Sequence, residues 1–142
     1  MFVSLDLETT GFDKENDKII EFGAIKFDLK GNTETRQFLC NPGTKIPDIV
    51  VHITKITDEA IKDANPFSAH TQEVQEFIGD LPIIGHNIQF DTGFLEENGV
   101  KINNSLYDTH DLSAILLPNM TSYSLEILSE VFQLKHTDKH RA

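Results

Sequence analysis

The sequence predicts an α/β fold in which a mixed sheet of five strands is flanked by helices. Two observations predict it. Residues 1–40 carry three strand-like segments joined by polar turns. The rest of the chain alternates helix-like stretches with two short apolar runs, at 82–85 and 105–107. Strands first, then helices alternating with single strands, is the pattern of a sheet with both antiparallel and parallel neighbours.

Each element has a local reason. Residues 1–7 read as a strand, with Phe2, Val3, Leu5 and Leu7 giving it a buried character. Residues 11–18, from Gly11 to Lys18, form a polar turn. A second strand spans 19–29, Gly31-Asn32 turns the hairpin, and a third strand runs over 34–40 until Asn41-Pro42-Gly43 breaks it. Helices are predicted over 58–64, capped by Thr57, and over 69–79. A further helix over 87–98 is expected to be capped by Asn87 and to end at Gly99. Helices over 108–117, stopped by Pro118, and over 124–132 complete the chain. No repeat, low-complexity tract or linker interrupts this order.

Composition bounds the function. A chain of 142 residues with 39% hydrophobic and 25% charged residues fits one domain with its own core. Cys40 is the single cysteine, which excludes an intrachain disulfide, and no Cys/His pattern suggests zinc. The N-terminus lacks the basic region of a signal peptide, and no apolar run approaches the ~20 residues of a membrane span. These features predict a cytoplasmic protein with no membrane partner. The net charge of −11 speaks against tight binding along a duplex or a long single strand, because phosphate contacts normally demand a basic surface. It leaves room for an enzyme that grips only a strand end through bound cations, since divalent ions reverse the local field.

Four places carry candidate chemistry. Asp6 and Glu8 stand two apart on the first strand, so both carboxylates project from one face. Two such charges repel unless a cation lies between them. An isolated Asp-x-Glu otherwise reads as a solvated strand face. Here the flanks are apolar and Thr9-Thr10-Gly11 follows, a turn where main chain can approach a ligand. The second place is His86-Asn87-Ile88-Gln89-Phe90-Asp91, which opens a helix and puts Asp91 one turn in, able to face the first pair. A lone acid there would otherwise be read as favourable placement on the helix dipole. The third is Tyr107-Asp108-Thr109, where Asp108 is expected to cap a helix or to support the site. The fourth is His140-Arg141-Ala142; His136, four residues earlier, reads as structural or surface.

Together these segments resemble the DEDDh 3′→5′ exonucleases of the ribonuclease-H-like superfamily. They resemble most the proofreading exonucleases of bacterial replicative polymerases, of the epsilon and PolC types, and the exonuclease domain of DinG-type helicases. The resemblance runs in order through Leu5-Asp6-Leu7-Glu8-Thr9-Thr10-Gly11, Ile19-Ile20-Glu21-Phe22-Gly23-Ala24, Asn41-Pro42-Gly43 and Ile56-Thr57-Asp58-Glu59. It continues through His86-Asn87-x-x-Phe90-Asp91, Tyr107-Asp108-Thr109, Tyr123-Ser124-Leu125 and His140-Arg141-Ala142.

The resemblance implies that Asp6, Glu8 and Asp91 bind two divalent ions, Mg²⁺ or Mn²⁺, and that His140 is the catalytic base. It implies that Thr9, Thr10, Gly11 and Phe12 hold the terminal nucleotide, with Asn87 and Phe94 supporting the site. The substrate would be a single-stranded or frayed 3′ end, cut to nucleoside monophosphates in DNA proofreading or repair. A polymerase or helicase would be the partner, in cis or in trans. Two departures stand out. Lys55 occupies a position where the family often has glycine, close to the substrate strand. The family's fourth acid should follow five residues after His140, and the sequence carries two. On that reading residues 1–142 are one exonuclease domain cut short before its C-terminal helix. The competing reading is a catalytically impaired module that binds strand ends or a polymerase or helicase partner.

Overall fold

A computed structural model of the chain describes residues 1–134 and 142. Five strands, β1 (Phe2–Thr9), β2 (Ile19–Phe27), β3 (Thr33–Leu39), β4 (Ile83–Gly85) and β5 (Leu106–Asp108), form one sheet in the order β3-β2-β1-β4-β5. β1, β2 and β3 pair antiparallel, while β4 and β5 join parallel to β1 and to each other. The sheet is therefore mixed, as the alternation of elements predicts.

β1 shows why the sheet forms and what it presents. Val3, Leu5 and Leu7 are buried on one face, where they pack with Phe22, Phe94 and Leu95. Burying each such side chain contributes roughly 1.5–3 kcal/mol. The alternate positions, Ser4, Asp6 and Glu8, turn to the other face. β2 is buried from Ile19 through Ala24 because both its faces are covered. Phe22 joins the main core, and Ile20 packs into a smaller cluster with Ile46, Ile56 and Ile61.

The helices depart from the sequence reading at their edges. Thr57 does cap its helix, accepting from the Ala60 N–H, but the helix is one turn, α2 (Asp58–Ile61). The predicted 69–79 helix divides into a 3₁₀ turn, Phe67–Ala69, and α3 (Thr71–Ile78). An unpredicted helix, α1 (Asp48–Thr54), precedes them. Its Ile, Val and Thr residues favour strands locally. Pro47 and Asp48 suit a helix start, and Val50 and Val51 pack on the smaller cluster, so tertiary burial decides. α4 (Ile88–Glu97), α5 (Thr109–Leu116) and α6 (Leu125–Val131) lie where expected. Among the described residues, no helix is long and apolar enough to cross a membrane.

Candidate active site

The site is built where β1, the loop after it and α4 meet. Asp6 and Glu8 leave β1 on the face away from the core, with Asp6 exposed and Glu8 half-buried. Asp91 on α4 is buried, with 4% of its surface exposed, and its Oδ1 accepts the Leu7 main-chain N–H at 3.0 Å. This bond inserts the third carboxylate at the β1 main chain between the other two. Burial, then the charges of Asp6 and Glu8, push Asp91 up to about 7 against the opposing pull of the Leu7 N–H. The Leu7 bond brings Asp91 to the β1 main chain close enough for the charges of Asp6 and Glu8 to act on it.

These residues fit a divalent cation by their chemistry. All three are hard oxygen donors, suited to Mg²⁺ or Mn²⁺. Burial first, and the charge of Asp6 after it, disfavour the ionised form of Asp91, and a divalent cation beside it would favour that form. Among the described residues, no three His, Cys, Asp or Glu side chains form a ready-made cage. Asp91 already gives one oxygen to the Leu7 N–H, which leaves its other oxygen for an ion.

The floor beside Asp6 holds groups that the sequence reading passed over. The register sets Gly23 opposite Asp6 and Glu21 opposite Glu8. Glu21 is buried, accepting the Gln37 amide at 3.1 Å on one oxygen and the Ala142 N–H at 3.1 Å on the other. The Gln37 amide also donates to the Ala142 carbonyl oxygen at 2.7 Å. Gly23 makes this possible, since a Cβ there would lie 2.0 Å from the Ala142 carbonyl carbon. A cleft of about 230 Å³ opens here, lined by Ser4, Asp6, Gly23, Ile25, Gln37 and Ala142. An acid inside the apolar run Ile19-Ile20-Glu21-Phe22 was the available signal for Glu21. His140 and His136 lie outside the described residues.

The loop after β1 forms the opposite wall. The Thr9 hydroxyl donates to the Gly11 carbonyl oxygen at 2.6 Å, and the Thr10 hydroxyl donates to Asp17 at 2.8 Å. Phe12 is 92% exposed, with its ring edge-on to Phe90 at 6.1 Å. Phe90 packs in turn against the buried Phe94, with ring centroids 4.9 Å apart and the rings tilted by 53°. Phe94 therefore supports the wall from below, and Phe90 is the aromatic link between it and Phe12.

Two expectations change. Asn87 does not cap α4 with its side chain; it sits in the left-handed region at φ 57. The cap is Asp108, which accepts the N–H groups of Asn87 and Ile88, both at 3.0 Å, and of His110 at 2.8 Å. One carboxylate thus closes the N-termini of α4 and α5, from a position in sequence that lies after the first of them. Lys55 ends α1 in a left-handed conformation at φ 63, the geometry glycine adopts without strain. Its ammonium returns to the His52 carbonyl oxygen at 2.6 Å, so it caps its own helix.

A model of the RNase T exonuclease family matches residues 3–142. The chain belongs to this exonuclease family. Among curated relatives of this exonuclease domain, it is 33% identical over 145 residues to the PolC-type DNA polymerase III of Caldanaerobacter subterraneus subsp. tengcongensis, with 99% of the chain and 10% of the relative covered. It is 35% identical over 147 residues to the 3′-5′ exonuclease DinG of Bacillus subtilis, with 99% and 16% covered. The chain thus spans a tenth to a sixth of the length of these relatives. The exonuclease fold recurs in solved structures. Exonuclease X in complex with 5′ overhanging duplex DNA aligns with a TM-score of 0.80 at 21% identity, covering 100% of this chain and 82% of that one. Escherichia coli exonuclease I in complex with a dT13 oligonucleotide aligns with a TM-score of 0.80 at 22% identity, covering 99% and 37%.

Proposed function

We propose that this exonuclease-family domain hydrolyses the terminal phosphodiester bond at the 3′ end of single-stranded or frayed DNA, releasing nucleoside monophosphates. The observation that carries the reading is Asp91, held on the Leu7 N–H between Asp6 and Glu8 and raised by burial and by their charge. Three carboxylates gathered at one strand suit a divalent cation, which can activate a water and neutralise a scissile phosphate. Asp6, Glu8 and Asp91 would hold two ions, Mg²⁺ or Mn²⁺. When bound, these supply an activated water and charge to stabilise the leaving 3′ oxygen.

The chain's own residues do the rest. The turn from Thr9 to Gly11 offers main chain to the terminal nucleotide, and the exposed Phe12 ring offers it a stacking face. Asn87 and Phe94 support that wall through α4. His140 brings an imidazole, a group whose reference pKa is near ~6.5, and so is suited to take the proton of the attacking water near neutrality. With an acidic surface overall, the domain would grip an end and leave long-strand binding to a polymerase or helicase, in cis or in trans. The PolC-type and DinG relatives support that setting, and it implies a cytoplasmic site of action.

Two measurements test this reading. Mn²⁺ is expected to raise the melting temperature of the native chain and to raise that of Asp6→Asn less, because binding to the folded state stabilises it. Equal responses remove the ions from this site. In a form that cleaves a 3′-labelled strand, His140→Ala is expected to lower kcat by ~10²–10⁴-fold and to abolish the rising limb of the pH profile near neutrality, with a smaller change in KM. Native-like rates would exclude His140 as the base.

A further inference from the structure

The loop between β1 and β2 is exposed from Phe12 through Asn16, yet Asp17 within it is half-buried. Its carboxylate fills the middle of the loop. Oδ1 accepts the Thr10 hydroxyl at 2.8 Å, and Oδ2 accepts the Asp13 N–H at 3.0 Å. Thr10 Oγ1 in turn accepts the Lys18 N–H at 2.9 Å, and the Thr10 N–H donates to the Lys18 carbonyl oxygen at 2.8 Å. The same carboxylate lies flat against Gly11, where a Cβ would come within 2.3 Å of Oδ2. Gly11 and Asp17 are thus a matched pair: one lacks a side chain so that the other can pass beneath it.

The loop so fixed has two contacts with α4. The Phe12 ring meets Phe90 edge-on, and the Lys14 stem lies over Gly93, within 3.5 Å of where a Cβ would stand. The helix that carries Asp91 and the loop that carries Phe12 are therefore registered against each other. The strand junction itself is irregular, because the β1–β2 register shifts between Glu8 and Thr9, so sheet pairing alone does not set the loop's direction.

From this geometry we infer that Asp17 is a positioning residue for nucleotide binding: its two accepted bonds aim Gly11 and Phe12 over the acid cluster, so that the Phe12 ring stacks on the 3′-terminal base. The inference rests on the exonuclease reading above. It assigns Asp17 no contact with substrate. Its effect runs through Phe12, which is a testable coupling.

The test is a double-mutant cycle on binding, read with Ca²⁺ in place of Mg²⁺ or Mn²⁺, so that the acid cluster is neutralised by an oxygen-liganded ion while turnover does not intervene. The probe is a short DNA strand with 2-aminopurine at its 3′ end, whose fluorescence is quenched on stacking. Asp17→Ala is expected to weaken binding about tenfold, within the cost of a lost base stack. Asp17→Asn, which keeps one acceptor oxygen, should lose less. Asp17→Ala added to Phe12→Ala should weaken binding little further, since contacts acting through one group are not additive. Asp28→Ala is the matched control. Asp28 braces the β2–β3 hairpin by accepting the Lys30 and Asn32 N–H groups, and its loss should leave quenching and affinity unchanged. Native affinity in Asp17→Ala, or full additivity with Phe12→Ala, overturns the inference while native quenching and native cleavage with Mn²⁺ leave the exonuclease reading standing. A native chain that neither quenches the probe nor cuts it overturns both.

Discussion

Asp91→Asn is expected to melt above the native chain at pH 8 without divalent cations, while cleavage of a 3′ end falls by ~10²–10³-fold, the usual cost of losing one electrostatic stabiliser. The carboxyl of Asp91 stands near 7 in the fold against 3.8 for an ordinary aspartate. Between those values the folded chain holds a proton that the unfolded chain has released. Stability therefore falls as pH rises through this window, and the deficit is complete above about 7. The deficit is roughly 4 kcal/mol by the difference in pKa. An asparagine removes the charge and keeps an oxygen for the Leu7 N–H. For a chain of this size the gain corresponds to roughly 10 °C in melting temperature. The advantage should shrink toward pH 4, where the native carboxyl is protonated in the fold and much of it in the unfolded chain. Mn²⁺ should close the gap from the native side. Melting curves of both chains from pH 4 to 8, with EDTA and with Mn²⁺, decide it. A constant difference across that range would mean that Asp91 is ionised in the fold and that the acids do not repel as argued.

That tension between charge and fold was partly legible in the sequence, and its limits have physical reasons. The period-2 pattern of β1 placed Asp6 and Glu8 on one face, because alternation depends on local geometry alone. Helical spacing put Asp91 one turn into α4, able to face them, while the bond to Leu7 that holds it depends on tertiary packing. What was not legible depends on partners distant in sequence. Asn87 and Asp108 are both residues that cap helices, and no local rule says that one carboxylate serves two helices whose starts lie 21 residues apart. Glu21 pairs with Glu8 only through strand register, and its bonds go to Gln37 and Ala142. The β-branched run of α1 reads as a strand until the cluster around Ile20 and Ile56 is in place to bury Val50 and Val51. Lys55, a departure from the family's glycine, becomes intelligible once its φ is known. The backbone there is left-handed, and the lysine tolerates the strain while satisfying the carbonyl end of α1.

Asp108→Ala is expected to damage both the fold and the placement of Asp91. Three main-chain N–H groups, of Asn87, Ile88 and His110, lose their acceptor at once. Loss of a cap costs ~0.5–2 kcal/mol, and here two helices are uncapped, which gives roughly 1–4 kcal/mol and a fall of roughly 3–15 °C in melting temperature. The change should also reach the chemistry. Asn87 holds a left-handed conformation at the entry to α4, and Asp108 is its brace. Asp91 stands one turn inside that helix, so a shift of the entry displaces it from Leu7. Misplacement on this scale costs up to ~10²-fold in kcat, and KM should rise with it, because the Thr9–Phe12 wall rests on α4 through Phe90. Asp108→Asn should fall between, since its single oxygen can serve Asn87 and His110 while its amide faces the Ile88 N–H. The pH dependence runs opposite to that of Asp91. Burial pulls the Asp108 carboxyl upward, but the N–H groups of Asn87, His110 and Ile88 and the nearby His86 together hold it below its ordinary value. Its contribution is therefore present above 3.8 and lost as pH falls through the lower folded value. The native chain should lose stability more steeply than Asp108→Asn at the acid end. If Asp108→Ala melts with the native chain and cuts as fast, the double cap carries neither the fold nor the position of Asp91.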